Sequence, residues 1–241
     1  MTTHRQLAAQ LTTTLALQRP PVAVAFLDTP PPGVARFSGT MPSGCSFWRV
    51  AMSGDVFYTV AGDHYNCPIG SYTHNLPLPV ARAAELEQTL AFMTGIGYVR
   101  MEEVPGIPVL PKTPAVIIYA PLGDTPVDPD VLIFVASAAS LMRLHEAAMS
   151  AGVAANFNTL GRPTCMAVPA ALAGGMVVST GCVGNRVYTE FGEGELYAAL
   201  PGRALPMLAD KARTIAAANA KLQEYHQARR QQLTVVGADL W

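Results

Sequence analysis

Two hydrophobic rhythms alternate along this chain. Leu7, Leu11, Leu15 and Leu17, with Ala8 and Ala16, recur at helical spacing and predict an amphipathic opening helix that Pro20-Pro21 stops. Val22-Ala-Val-Ala-Phe26 then reads as a buried strand, and Pro30-Pro-Pro-Gly33 as a loop. Cys45 to Met52 predicts a short helix ending at Gly54. Val56-Phe-Tyr-Thr-Val60 is β-rich, and the polar turn Gly62-Asp-His-Tyr-Asn66 follows it. Leu78 to Phe92 is helical, with Glu85 and Glu87 on the wet face.

Val104 to Pro114 carries prolines at 105, 108, 111 and 114 and reads as a linker between two halves. Ala115-Val-Ile-Ile-Tyr119 and Val131-Leu-Ile-Phe-Val135 are continuous apolar runs, as in strands covered on both faces. Ser137 to Ser150 predicts a helix closed by Gly152. Pro163 to Leu172 predicts a second helix, followed by the strand Met176-Val-Val-Ser179. Met207 to Gln232 predicts one long alanine-rich helix, with Arg229-Arg230 placed to suit its dipole. Strands alternating with helices give an α/β fold with a mixed sheet.

The four cysteines add an internal order. Cys45 and Cys67 are 22 positions apart, and Cys165 and Cys182 are 17 apart. With Cys45 laid over Cys165, Gly54 meets Gly174, and Gly54-Asp-Val-Phe-Tyr-Thr59 lies over Gly174-Gly-Met-Val-Val-Ser179. Cys67-Pro-Ile-Gly70 then matches Cys182-Val-Gly184 if the first copy holds a short extra loop. The expectation is one domain, 1–241, built from two pseudo-symmetric Cys–helix–Gly–strand–Cys repeats, 20–103 and 115–202, with the C-terminal helix at 206–233.

Composition narrows the function classes. Half of the 241 residues are apolar and only 14% are charged, against about 25% usually. That shortage of charge points to a buried surface, and a homodimer supplies one; an alanine-rich monomer is the alternative. A net charge of -1 gives no footprint for nucleic acid or an anionic membrane. No run approaches the roughly 20 apolar residues of a membrane span. Met1-Thr-Thr-His-Arg-Gln lacks a signal-peptide core. The reading is cytoplasmic, where thiols stay reduced.

Soft thiolates suit iron–sulfur clusters, zinc and Cu(I). Structural zinc sites usually show closely spaced cysteine pairs, and this chain has none. Ligands on separate segments can hold a larger cubane. The leading expectation is therefore a 4Fe-4S cluster on Cys45, Cys67, Cys165 and Cys182. Metal-free redox thiols, a single-metal site and inert core cysteines are the competing readings.

Other residues could serve such a site. In Gly181-Cys-Val-Gly-Asn-Arg186, Gly181 and Gly184 permit positive φ, and the N–H groups could form an anion nest. Arg186 could pair with a carboxylate, a phosphate or a cluster ligand; a solvated Arg on a tight turn is the bland reading. His64, three positions before Cys67, could donate a proton or cap a turn. Asn66 adjoins Cys67. Trp48 could shield a cluster, or it could pack in the core. No Walker loop, full G-x-G-x-x-G, G-x-S-x-G or H-E-x-x-H occurs.

Several segments resemble one family. They are Cys45 with Ala51 and Gly54, Asn66-Cys67-Pro-Ile-Gly70, Pro129-Asp-Val-Leu-Ile-Phe134, Met142-Arg-Leu144 and Thr164-Cys165. Ser179-Thr-Gly-Cys182-Val-Gly-Asn-Arg186 and Gly194-Glu-Leu196 with Leu200-Pro-Gly202 complete the set. Together, from about Pro20 to Gly202, they are similar to the DUF169 family of bacterial and archaeal proteins, whose name denotes unknown function. The resemblance implies that cysteines at all four positions belong to the family's pattern, and so share a site. Asn185 stands where the family's element usually carries a small residue.

The expected function is an iron–sulfur protein acting in redox or small-molecule chemistry, with a small-molecule ligand in an adjacent apolar pocket. The alternatives are a non-enzymatic small-molecule or haem-binding module or sensor, and a metal-free thiol enzyme with Cys182 as nucleophile. Whether it is an enzyme stays open at this level.

Overall fold

Eight strands form one mixed sheet, in the order β2-β3-β4-β1-β5-β8-β7-β6. The computed structural model describes residues 2–160 and 162–235. The strands are β1 (Val22–Leu27), β2 (Ala35–Arg36), β3 (Phe57–Thr59), β4 (Val116–Pro121), β5 (Val131–Ser137), β6 (Ala155–Leu160), β7 (Met176–Ser179) and β8 (Glu195–Pro201). β1 and β5 pair antiparallel at the centre. Reading outward from them, one side runs β4 antiparallel, β3 antiparallel, then β2 parallel. The other runs β8 antiparallel, β7 antiparallel, then β6 parallel.

Helices cover both faces. α1 (His4–Leu15), α6 (Ala138–Ser150) and the first turns of α9 (Leu205–Val235) lie on one. There Leu7, Leu11, Leu15, Leu141, Leu144, Leu208 and Ala212 pack with Leu132 and Phe134 of β5 and Leu200 of β8. α2 (Ser46–Met52) and α7 (Ala167–Gly174) lie on the other. There Phe47, Trp48, Ala51, Val168 and Ala171 pack with Ile117, Tyr119, Val131, Ile133 and Tyr197. Alternate residues of β5 thus enter opposite cores, which is why its sequence is apolar without a break.

Side chains cap two of these helices. Thr3 and Gln6 close a capping box on α1, and Ser137 caps α6 by accepting from the Ser140 N–H. Gly202, in the Leu200-Pro-Gly202 turn after β8, donates its N–H to the Asp130 carbonyl at 2.7 Å. A Cβ there would collide with the Pro129 carbonyl, so close backbone approach requires glycine at this position.

The differences from expectation are local. The segment read as one helix from Leu78 is a short 3-10 turn, Val80–Arg82, followed by α5 (Ala84–Gly95). The polar turn before Cys67 is a helical turn, α3 (Ala61–His64). Two further short helices, α4 (Pro68–Thr73) and α8 (Val183–Thr189), start immediately after Cys67 and Cys182. The sequence pattern also missed β2, β6 and β8. Asparagine in Ala155-Asn-Phe-Asn and paired alanines in β8 are poor strand formers, so pairing rather than propensity places them. No helix of the described residues is long and apolar enough to cross a membrane.

Candidate functional site

The four cysteines sit at the starts of four helical segments on the α2/α7 side of the sheet. Cys45 is the residue before α2, and its sulfur lies 3.2 Å from the Ser43 hydroxyl. Cys165 lies in the 3-10 turn Thr164–Met166 that leads into α7. Cys67 and Cys182 are the N-cap residues of α4 and α8. The Cys67 sulfur accepts from the Gly70 N–H at 3.3 Å, and the Cys182 sulfur accepts from the Asn185 N–H at 3.4 Å. A Cβ on Gly70 would stand 2.9 Å from the Cys67 sulfur, so the bare backbone lets that contact form.

All four thiols are free, and all four line one cavity of about 530 Å³. Every pair among them is close enough for one sulfur's charge to disfavour the other's. Burial pushes the Cys45 thiol up to about 11, and also raises Cys67 and, further, Cys165. These three are protonated thiols at neutral pH. Cys45 and Cys165 are buried, whereas Cys67 and Cys182 are partly exposed.

This corrects the iron–sulfur expectation. Among the described residues no group of three or more His, Cys, Asp or Glu is arranged to hold a metal ion. A ligand set must close on a common centre; among the described residues these sulfurs share a cavity wall without doing so. Neither a 4Fe-4S cluster nor a single ion fits the donors as placed.

The remaining walls are chiefly apolar. Leu90, Phe92, Met93 and Ile96 come from α5, Val99 and Ile107 from the segment after it, and Val183 and Tyr188 from α8. No residue of α5 is buried, and Phe92 and Ile96 are 66% and 62% exposed, so this helix covers the cavity loosely. The opposite extreme is Asn185. It is 1% exposed and lines the cavity, and neither its Oδ1 nor its Nδ2 finds a hydrogen-bond partner among the described residues. Its amide lies near Cys45 and Tyr197 and slightly lowers both their pKa values, but neither contact has hydrogen-bond geometry. A buried amide without partners costs roughly 1–3 kcal/mol, a cost a ligand can offset.

The other candidates fall in different places. Gly184 and Asn66 line the cavity; the Asn66 amide donates to the Met41 carbonyl. Gly181 has φ +81°, and a Cβ there would press on Arg186, Asn185 and Tyr197. Arg186 is not a wall residue. Its guanidinium donates to the carbonyls of Thr180, Gly192 and Glu195, so it braces the Cys182 turn against the approach to β8. The N–H groups of Asn185 and Arg186 are taken by the Cys182 sulfur and carbonyl, so they do not contribute to an anion nest. His64 is a core residue, 2% exposed, with Nε2 2.8 Å from the Thr59 hydroxyl; burial lowers its pKa to about 3, which removes it as a proton donor. Trp48 packs edge-on to Tyr197 in the core.

Two residues of the site had no role in the sequence reading. Asn185 was visible only as a large amide in a position of small ones. Arg162, from the loop before Cys165, lines the cavity and carries no sequence signal at all.

Fold and site together define an α/β protein with a chiefly apolar cavity bounded by four free thiols. Residues 10–211 match the DUF169 family, described as uncharacterised ArCR, and the chain belongs to that family. No curated protein and no solved structure matches it.

Proposed function

We propose that this protein binds a small, largely apolar molecule in the cavity between α5 and the cysteine-bearing segments, as a binding or sensor module. The observation that carries this reading is the unpartnered Asn185 amide in the wall of an apolar cavity of about 530 Å³. That volume lies in the usual range for small-molecule sites, and one polar group among apolar walls is the usual way such sites fix orientation. The thiol-enzyme reading is weaker, because among the described residues lining the cavity no histidine or carboxylate stands to activate Cys182 as a nucleophile.

Three further expectations belong to the same proposal. The strand order is the same outward from β1 and from β5, and each half carries one cysteine before α2 or α7 and one before α4 or α8. This supports two copies of one unit. Leu222 and Tyr225 on α9 are 52% and 63% exposed, which supports a homodimer through that helix. Four free thiols suit a reducing compartment such as the cytoplasm.

Decanol is a suitable probe for the cavity. It should bind one molecule per chain, and Leu90→Trp should weaken it at least about tenfold. Leu90 lines the cavity from a helix with no buried residue, so tryptophan there fills space without disturbing the core. Equal affinity in the variant would overturn the reading.

A further inference from the structure

We infer that the ligand of this cavity is an amphiphile with an anionic head group, a carboxylate or its equivalent, held by Arg162. The inference rests on the cavity reading and adds the chemical class of the occupant. Arg162 is the one charged residue among those lining the cavity. Its side chain is 42% exposed, which places it towards the mouth, whereas Asn185 is 1% exposed. A lone cation beside apolar walls selects an apolar molecule that carries a negative charge at one end.

The neighbours of Arg162 leave its charge available. Its guanidinium carbon lies 4.7 Å from the centre of the Tyr98 ring, which fixes the plane of the group and, among the described residues, takes up none of its N–H donors. The nearest carboxylate, Glu103, stands 4.0 Å away. Glu103 is already committed to Arg100, whose Nη2 and Nε donate to it at 2.8 and 3.0 Å and whose backbone N–H donates at 3.2 Å. Arg100, which also stands 3.9 Å from Glu102, thus supplies these hydrogen bonds to Glu103, and Arg162 keeps a planar fork suited to two carboxylate oxygens. Cys45, Cys67 and Cys165 cannot compete for it as anions, since burial keeps them protonated.

The test compares decanoate, decanol and decylammonium by calorimetry at neutral pH. Decanoate should bind about tenfold more tightly than decanol, the effect of a charge-assisted contact at a half-exposed site, and decylammonium most weakly. Arg162→Gln should bring decanoate to within about twofold of decanol. If decanol binds and decanoate binds no better, the anion inference fails while the cavity reading stands. A preference that survives Arg162→Gln overturns the inference too. If none of the three binds, the cavity reading itself fails. Should Arg162→Gln not fold, Arg162→Lys takes its place. Its preference for decanoate should shrink and fade with added salt, and a preference as large as that of the native chain and indifferent to salt would overturn the assignment.

Discussion

The backbone N–H of Cys182 donates to the hydroxyl of Thr164 at 2.6 Å. The two residues are 18 positions apart and adjoin different cysteines, since Thr164 precedes Cys165. This bond ties the start of α8 to the start of α7 and so fixes half of the cavity's thiol wall. Thr164 is 1% exposed, and Thr164→Val keeps its shape while leaving a donor unpaired. Urea unfolding should show a loss of about 1–3 kcal/mol. A change below about 0.5 kcal/mol would mean that the bond does not hold the wall.

Arg186 gives the opposite pattern to a ligand contact. Its four hydrogen bonds run to the carbonyls of Thr180, Gly192 and Glu195. Arg186→Lys keeps the charge but cannot reach all three. It should cost about 2 kcal/mol in a thermal or urea melt and leave decanol affinity within about twofold. Normal stability with lost binding would reverse this assignment.

Acid should weaken the fold before the carboxylates titrate. Burial lowers His64 to about 3 and His74 to about 4. Both titrate near 6.5 when unfolded, so below that pH the unfolded chain binds more protons than the folded one. Stability should be level above about pH 6.5 and fall as pH drops towards 4, by up to about 1.4 kcal/mol per pH unit for each histidine. Urea melts between pH 7 and 5 isolate this effect, because the depressed carboxylates Glu85, Glu103 and Glu195 act at lower pH. A flat profile over that range would contradict the burial of the two rings as neutral groups.

The α5 cover should respond to an occupant. Hydrogen exchange across Ala84–Gly95 should be fast in the free protein, since none of its side chains is buried, and should slow with saturating decanol. The same exchange rate with and without decanol would show that α5 is not part of the binding wall.

Much of the framework can be read from the residues. β5 is a continuous apolar run because helices cover both faces of the sheet there, and a proline shortly precedes each of β1, β4 and β5. The matched cysteine spacing leads to the expectation of one metal cluster, whereas the four cysteines border one cavity without forming a metal site among the described residues. What that cavity does is not written in their spacing. Soft ligands at matched intervals suggest a cluster, but their environment depends on residues such as Tyr119, which is buried near Cys45 and Cys165 and distant from both in sequence. β8 was hidden because its alanines gain strand structure only from β5 and β7 on either side. Asn185 and Arg162 were hidden for a similar reason: a lone amide and a lone cation acquire meaning only from the apolar walls around them.

The most direct measurement is thiol reactivity with and without an occupant. Cys67 and Cys182 are partly exposed and line the cavity, so N-ethylmaleimide should modify them faster than the buried Cys45 and Cys165. Mass spectrometry follows each site separately. Saturating decanol should slow modification of Cys67 and Cys182 at least about fivefold, and Leu90→Trp should slow it in the absence of decanol. Unchanged rates at both cysteines, under conditions where decanol binding is measured by heat, would place the ligand elsewhere and contradict the proposed site.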